Sequence, residues 1–368
     1  MLRIFHGADL HLDTPFTALP PQLAARRRQE LRMMSARLAA MARKTGAELV
    51  LLAGDLLDGA PPYTETVEAL MQALSNIPAP VFIAPGNHDW LSPDSPYRLR
   101  WPGNVHVFTS AGIERVPLPG LNCVVYGTAY TEPSKTCVLE GFSPDEADGD
   151  ALRILLLHGE VRSDGESPYC PVSERQLAES GMDYVALGHI HKFSGIRRSG
   201  NTVWAWPGCP EGRGFDETGP RGVIAGGLER GGHTLEFLPV NQKRYEVYTV
   251  SLAVGDDPME KLRELPLSED QVARVIFTGE TEEADLPLRA LEEALRERCF
   301  YGQVRDETRI HRGLWERLEE QSLTGAFLRR LWSRMEREPE QRPLLEQAAR
   351  FGLAALERRE DPEGGDDL

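Results

Sequence analysis

The stretch "YVALGHIHKF", residues 184–193, decides how the rest of this chain is read. An apolar run stops at Gly188, and His189 and His191 follow with one isoleucine between them. In extended backbone, side chains at i and i+2 share a face, so both rings can address one region. A histidine pair at a strand end is explained either by chance or by a metal. The choice depends on what the other strand ends carry.

Four more apolar runs end in small or turn-forming residues: "LRIFHGADLH" at 2–11, "AELVLLAGDLLD" at 47–58, "APVFIAPGNHDW" at 79–90 and "LRILLLHGE" at 152–160. Their content of Val, Ile and Leu suits strands buried on both faces. Between them Leu31, Met34, Leu38 and Met41 recur at spacings of three and four, as do Val67, Leu70, Met71 and Leu74. That period predicts helices over 22–45 and 64–76. Strands alternating with helices predict an α/β domain with much parallel sheet. From 200 to 240, "NTVWAWPG", "GVIAGGLE" and "HTLEFLPV" predict short antiparallel strands that complete the domain.

Past "VNQKRYEVYTVSL" the pattern predicts a smaller β-α-β-α unit: strands near 245–252 and 271–279, helices near 257–265 and 286–299. Two amphipathic helices follow after 310, split between Pro339 and Pro343. We therefore divide the chain into a catalytic domain 1–241, an α/β cap 242–306, a helical segment 307–358 and an acidic, disordered tail 359–368.

Of 368 residues, 41 are Lys or Arg and 57 are Asp or Glu, giving a formal charge of −16. This weighs against a protein that holds nucleic acid by a broad basic surface. A phosphate substrate stays open, because bound dications can reverse a site's electrostatics. No apolar run approaches the roughly 20 residues of a membrane span. The five cysteines (Cys123, Cys137, Cys170, Cys209, Cys299) are scattered and form no C-x-x-C pair, which suits a reducing compartment. The opening "MLRIFHGADLH" lacks the layout of a signal peptide, so a cytoplasmic protein is expected.

The strand ends carry Asp9-x-His11, Gly54-Asp55, Gly86-Asn87-His88-Asp89, His158-Gly159 and Gly188-His189-x-His191. The carboxyl ends of strands are where open α/β sheets place their sites. Each motif alone has a plain structural reading as a capped turn or a satisfied histidine. Five in succession, all offering O or N donors and no thiolate, point to a site for Mn²⁺, Fe or Zn²⁺. Asp58 and Asp89 are expected to orient ligands. His6 either bonds across the site or is structural.

The set D-x-H, G-D, G-N-H-D, H-G and G-H-x-H resembles the metallophosphoesterase (calcineurin-like) superfamily. Within it, "RIFHGADLHLDTPF" and "GCPEGRGFDETGPRG" resemble the SbcD-type DNA repair exonucleases, in particular their YhaO-type branch. The resemblance implies a four-layer αββα sandwich with a small α/β cap domain and a C-terminal helical tail. It implies two divalent ions, Mn²⁺ foremost, bridged by Asp55. Asp9, His11 and His191 would complete the first site, and Asn87, His158 and His189 the second. His88 is left off the metals, to bind the phosphate or protonate the leaving oxygen.

What the resemblance implies about function is a metal-dependent DNA exonuclease of repair or recombination. It implies a cap that tracks DNA, an SMC-like coiled-coil ATPase docked on the C-terminal helices, and a homodimer formed through the helices at 22–45 and 64–76. Arg213, in its Gly-rich loop, and Phe16, after the first motif, are candidate substrate contacts; their plain readings are a hairpin tip and a core aromatic. The alternative function is a phosphatase or phosphodiesterase acting on a small molecule, nucleotide or phosphoprotein, because the cluster does not choose the substrate.

Overall fold

The computed structural model describes residues 1–58, 62–163, 166–281, 286–310 and 312–356. The chain divides into two compact units, Met1–Gln242 and Lys243–Leu368.

The first unit is built on two sheets. Strands β1 (Leu2–Gly7), β2 (Leu49–Leu52), β3 (Val81–Ile83) and β4 (Val105–Val107) pair in that order, all parallel. The second sheet runs β5 (Glu114–Leu118), β6 (Cys123–Gly127), β7 (Leu152–His158), β8 (Tyr184–Gly188), with β9 (Arg197–Ser199) at its far edge and β10 (Thr202–Ala205) inside it. β11 (Gly222–Glu229) returns to lie antiparallel to β1, with β12 (Gly232–His233) and β13 (Glu236–Pro239) beside it. The segment at 200–240 is thus shared between sheets. β10 lies antiparallel to β9 and parallel to β8, with Val203 and Ala205 meeting the inter-sheet core while Trp204 and Trp206 face the other side.

Both faces of the central strands are apolar, as their composition predicts. Ile4, Leu49, Leu51 and Phe82 of the first sheet meet Val125, Ile154, Leu156 and Ala186 of the second in one buried core. On the outer side, Phe5, Val50 and Leu52 meet Leu38, Leu70 and Leu74. Those leucines come from α2 (Met34–Lys44) and α3 (Thr64–Ser75), which follow α1 (Pro21–Arg32). The expected single helix at 22–45 is therefore two helices interrupted at Met33, which is 61 % exposed. Beyond the second sheet, Leu155, Leu157, Val185 and Leu187 pack with Leu177 of α4 (Glu174–Glu179), whose Ser173 and Gln176 form a capping box. Helix, sheet, sheet, helix is the four-layer order of the metallophosphoesterase fold.

One buried polar contact ties the two sheets. His6 on β1 accepts from the Tyr184 hydroxyl at 2.9 Å, while its Nε2 donates to the Leu187 carbonyl at 3.1 Å. Burial holds its pKa down to about 3, so the ring is neutral. This gives His6 a structural role. His6→Leu strands the Tyr184 hydroxyl and is expected to cost about 1–3 kcal/mol, read by urea unfolding. If the double variant with Tyr184→Phe recovers nothing, the pairing is not what stabilises.

In the second unit, β14 (Arg244–Leu252), β15 (Gln271–Thr281) and β16 (Tyr301–Asp306) are parallel, and β17 (Arg309–Ile310) pairs the end of β15. α5 (Pro258–Arg263), capped by Asp257, and α6 (Leu288–Arg296) supply Leu262, Leu291 and Leu295 to its core. The expected two-strand unit has gained β16, whose "YGQVRD" lacks the long apolar run that marked the others. α7 (Leu323–Arg337), capped by Ser322, and α8 (Arg342–Leu356) bury Leu328, Leu345 and Leu353 between them. Arg350 of α8 pairs with Asp306 at 3.1 Å, so these helices and the strands share one compact unit. No described helix is long and apolar enough to cross a membrane. The expected disorder of 359–368 falls outside the described residues.

Candidate metal centre

The turns after β1 and β2 run side by side. Asp9 N donates to Gly54 O at 3.0 Å, His11 N to Asp55 O at 2.9 Å and Leu12 N to Leu56 O at 3.0 Å. This pairing brings the first two motifs together by backbone alone. The turns after β3, β7 and β8 close over them at van der Waals limit. A Cβ on Gly86 would overlap Asp55 Oδ1, and one on Gly188 would overlap the Ala53 carbonyl. Both positions therefore require glycine.

Backbone strain gathers at the same place. Asp9, His11, Asp55 and His189 all have positive φ, between 43° and 98°. Left-handed non-glycine residues cost of order 1–3 kcal/mol each and cluster at functional sites. Four such residues among those proposed as ligands are a strong geometric signature.

The side chains converge in three groups, one of them His11, Asp58 and His88 at the rim, the other two holding the expected ligands. In one of these two, Asp9, His11 and His191 come together, with His11 Nε2 3.2 Å from His191 Nε2. In the other are Asp55, His158 and His189. Asn87 Oδ1 joins the second group, 3.0 Å from His158 Nε2 and 3.2 Å from His189 Nδ1. Asp55 Oδ2 lies between the groups, 3.3 Å from His158 Nε2 and 3.7 Å from His11 Nε2. All seven residues singled out by the sequence as ligands are brought together.

The outer ring nitrogens have partners of their own. His158 Nδ1 donates to the Ala53 carbonyl at 2.8 Å and His189 Nε2 to Glu160 at 3.1 Å, while His191 Nδ1 meets both Glu217 at 2.7 Å and the Arg213 guanidinium at 2.9 Å. An acceptor-only oxygen on one ring nitrogen leaves a lone pair on the other in the neutral ring. His158 Nε2, His189 Nδ1, Asn87 Oδ1 and Asp55 Oδ2 thus face one another. Such a set needs positive charge among its members, from a proton on His158 or from a cation. Nitrogens 3.2 Å apart, as in His11 and His191, match two ligands each about 2.1 Å from one ion. The donor set fits two divalent ions.

Charge tells the same story. Burial pushes the Asp9 carboxyl up to about 6. Burial also opposes ionisation of Asp55, but His158 and His11 outweigh it and hold the carboxyl below its usual range. Burial disfavours charge on His158, yet Asp55 and Asp9 together hold its pKa up to about 9. Burial lowers His11 and His189 to about 4. Buried carboxylates that draw a proton onto a neighbouring ring are asking for positive charge.

His88 lies at the rim, with its side chain 49 % exposed. Its backbone N–H donates to Asp55 Oδ1 at 2.9 Å and its Nδ1 faces Asp58 Oδ1 at 3.3 Å. The bond to Asp58 raises its pKa above the ordinary histidine value. Asp58 is itself anchored by the Thr14 hydroxyl at 2.7 Å. Asp89 accepts from Gly86 N at 2.7 Å, Leu56 N at 2.7 Å and the Tyr97 hydroxyl at 2.6 Å, so it holds the turn that carries Asp55.

Two candidate substrate contacts have other work. Phe16 is 3 % exposed, with the Arg27 guanidinium 5.2 Å above its ring, which makes it a core residue. The Arg213 guanidinium is engaged by Glu217 at 2.7 Å and sits 3.9 Å from Asp58. Asp13 accepts from Thr66 and from Tyr63 N, anchoring the start of α3. The sequence reading missed Glu160, Glu217 and Trp206. Trp206 Nε1 donates to the carbonyls of both Gly159 and Gly188 at 3.1 Å. Glu160 directly follows the H-G motif, which is the one signal that pointed to it.

The chain belongs to the calcineurin-like phosphoesterase family, which it matches over residues 2–193. Members are hydrolases of phosphate esters that use divalent metal ions. The chain is similar to the metallophosphoesterase YhaO of Bacillus subtilis (strain 168), 31 % identical over 263 residues, covering 68 % of this chain and 63 % of that protein. It is similar to the DNA double-strand break repair protein Mre11 of Methanopyrus kandleri, 28 % identical over 295 residues, 71 % of this chain and 62 % of that protein. It is also 26 % identical over 210 residues to the "Probable exonuclease subunit 1" of Escherichia phage T5, 57 % of this chain and 60 % of that protein. The chain thus spans under two thirds of the length of each of these relatives.

Proposed function

We propose that the protein is a two-metal DNA nuclease, with exonuclease action and Mn²⁺ as the preferred ion. The observation that carries the metal reading is the convergence of Asn87 Oδ1, His158 Nε2 and His189 Nδ1 around Asp55. The DNA reading is supported by the relatives named for break repair and exonuclease function. Asp9, His11 and His191 would hold one ion, Asn87, His158 and His189 the other, and Asp55 both.

Bound there, the ions would supply a water of lowered pKa and positive charge against the phosphoryl oxygens. The chain's own part is placement. Asp58 fixes His88 through Nδ1 and leaves Nε2 to give a proton to the leaving oxygen or to hold the phosphate. The same reading assigns a cap role to the strands of 242–306 and a homodimer to the helices at 22–45 and 64–76. It assigns an SMC-like ATPase to α7 and α8, where Leu323 and Leu344 are 71 % and 62 % exposed. A cytoplasmic location goes with it.

The net charge of −16 favours a second reading, a phosphodiesterase or phosphatase of small substrates. A panel of divalent ions on duplex DNA, single-stranded DNA and small phosphoesters separates the two. We expect Mn²⁺-dependent loss of duplex DNA, abolished by EDTA. Intact DNA alongside rapid hydrolysis of a nucleotide monoester or cyclic nucleotide sinks the nuclease reading.

A further inference from the structure

We propose that Glu217 and Glu160 are positioning residues, one for each metal site, and that they set the two affinities separately. This rests on the two-metal reading above. His191 and His189 belong to one tripeptide, yet their outer nitrogens turn to different parts of the chain. His191 Nδ1 meets Glu217 from the loop before β11, and His189 Nε2 meets Glu160 from the turn after β7. A carboxylate on the outer nitrogen fixes the tautomer, aims the inner lone pair and raises its basicity. His158 has the Ala53 backbone carbonyl in that place, which no side-chain change can remove.

The two supports are built differently. Glu217 is 5 % exposed; Arg213 grips its Oε1 through Nη2 at 2.7 Å, and the Arg213 backbone N–H donates to Oε2 at 2.8 Å. Arg221 donates to the His191 carbonyl, closing the same loop on the ligand's backbone. Glu160 has a more open side chain, 16 % exposed, with Arg162 at 3.4 Å. Tyr169 lies against the far side of the His189 ring, with centroids 4.7 Å apart. Nothing described joins Glu217 to Glu160, so each reaches a different histidine of the pair.

The test is calorimetric titration of the metal-free full chain with Mn²⁺, for the parent, Glu217→Gln and Glu160→Gln. The amide keeps the volume and a hydrogen-bond acceptor but loses the charge. We expect two binding steps in the parent. Each variant should weaken one step by about 10–100-fold, a different step in each, and leave the other within about threefold. Thermal unfolding in EDTA monitors folding; Glu160→Gln, at the more open position, remains informative if Glu217→Gln is unstable. Fewer than two steps in the parent overturns the two-metal reading itself. Two steps in the parent that both variants reproduce, or that each variant weakens equally, overturns only the division of labour between Glu217 and Glu160.

Discussion

Replacing His88 with alanine is expected to lower kcat on DNA by about 10²–10⁴-fold, the range for loss of a general acid. The ring lies at the rim, held by Asp58, and although His11, Asp58 and His88 also converge, the resemblance leaves His88 off the metals. Mn²⁺ stoichiometry should therefore stay as in the parent. The informative comparison is between leaving groups. A deoxyribose alkoxide needs a proton as the P–O bond breaks, whereas p-nitrophenolate leaves without one. His88→Ala should then keep far more activity on bis(p-nitrophenyl) phosphate than on DNA. Equal losses on both substrates would make His88 a phosphate binder and not the acid.

The second large effect concerns a residue distant from any chemistry. Glu211→Ala is expected to destabilise the first unit by about 3–5 kcal/mol, because it removes one partner of a buried ion pair. Arg27 on α1 is fully buried, and its Nη2 reaches Glu211 at 2.8 Å. Glu211 also takes Arg37 of α2 at 3.5 Å and the Gln242 N–H at 2.8 Å. One carboxylate thus ties two helices to the loop that bears Arg213 and Glu217. For a unit of this size the cost corresponds to a fall in Tm of roughly 10 °C. Glu30→Ala, which removes the more exposed partner of Arg27, should cost under about 1 kcal/mol. The pairing of Arg27→Met with Glu211→Leu should recover most of the loss. A shift of under about 2 °C in Glu211→Ala would show that water reaches Arg27.

The candidate ligands were legible because strand-end motifs are local. Each apolar run named its strand, and each motif sat at that strand's end. Their meeting follows from sheet order, which β1 to β4 obey simply. Legibility ended where a residue acts through a contact distant in sequence. Glu217 lies 26 residues from His191, and only the fold discloses the bond. Phe16 looked like a substrate contact because it follows the first motif on an expected loop, whereas it is buried under Arg27; Arg213 lies beside the centre, paired with Glu217. The break at Met33 escaped notice because no proline or glycine marks it. β16 was missed because its burial is one-sided and its run short. β10 does pair antiparallel with β9, whereas its parallel pairing with β8, across the segment that holds β9, leaves no local signal.

The indole of Trp206 has a consequence for how this centre tolerates change. Its single N–H serves the carbonyls of Gly159 and Gly188 together, so the turns bearing His158 and His189 are pinned to one rivet. A shift that carried one histidine outward would drag the other with it. Spacing between those two candidate ligands is thus a property of the frame, passed on whole or lost whole. Drift in metal preference would then have to enter through the outer carboxylates, where a single side chain can change without moving the frame.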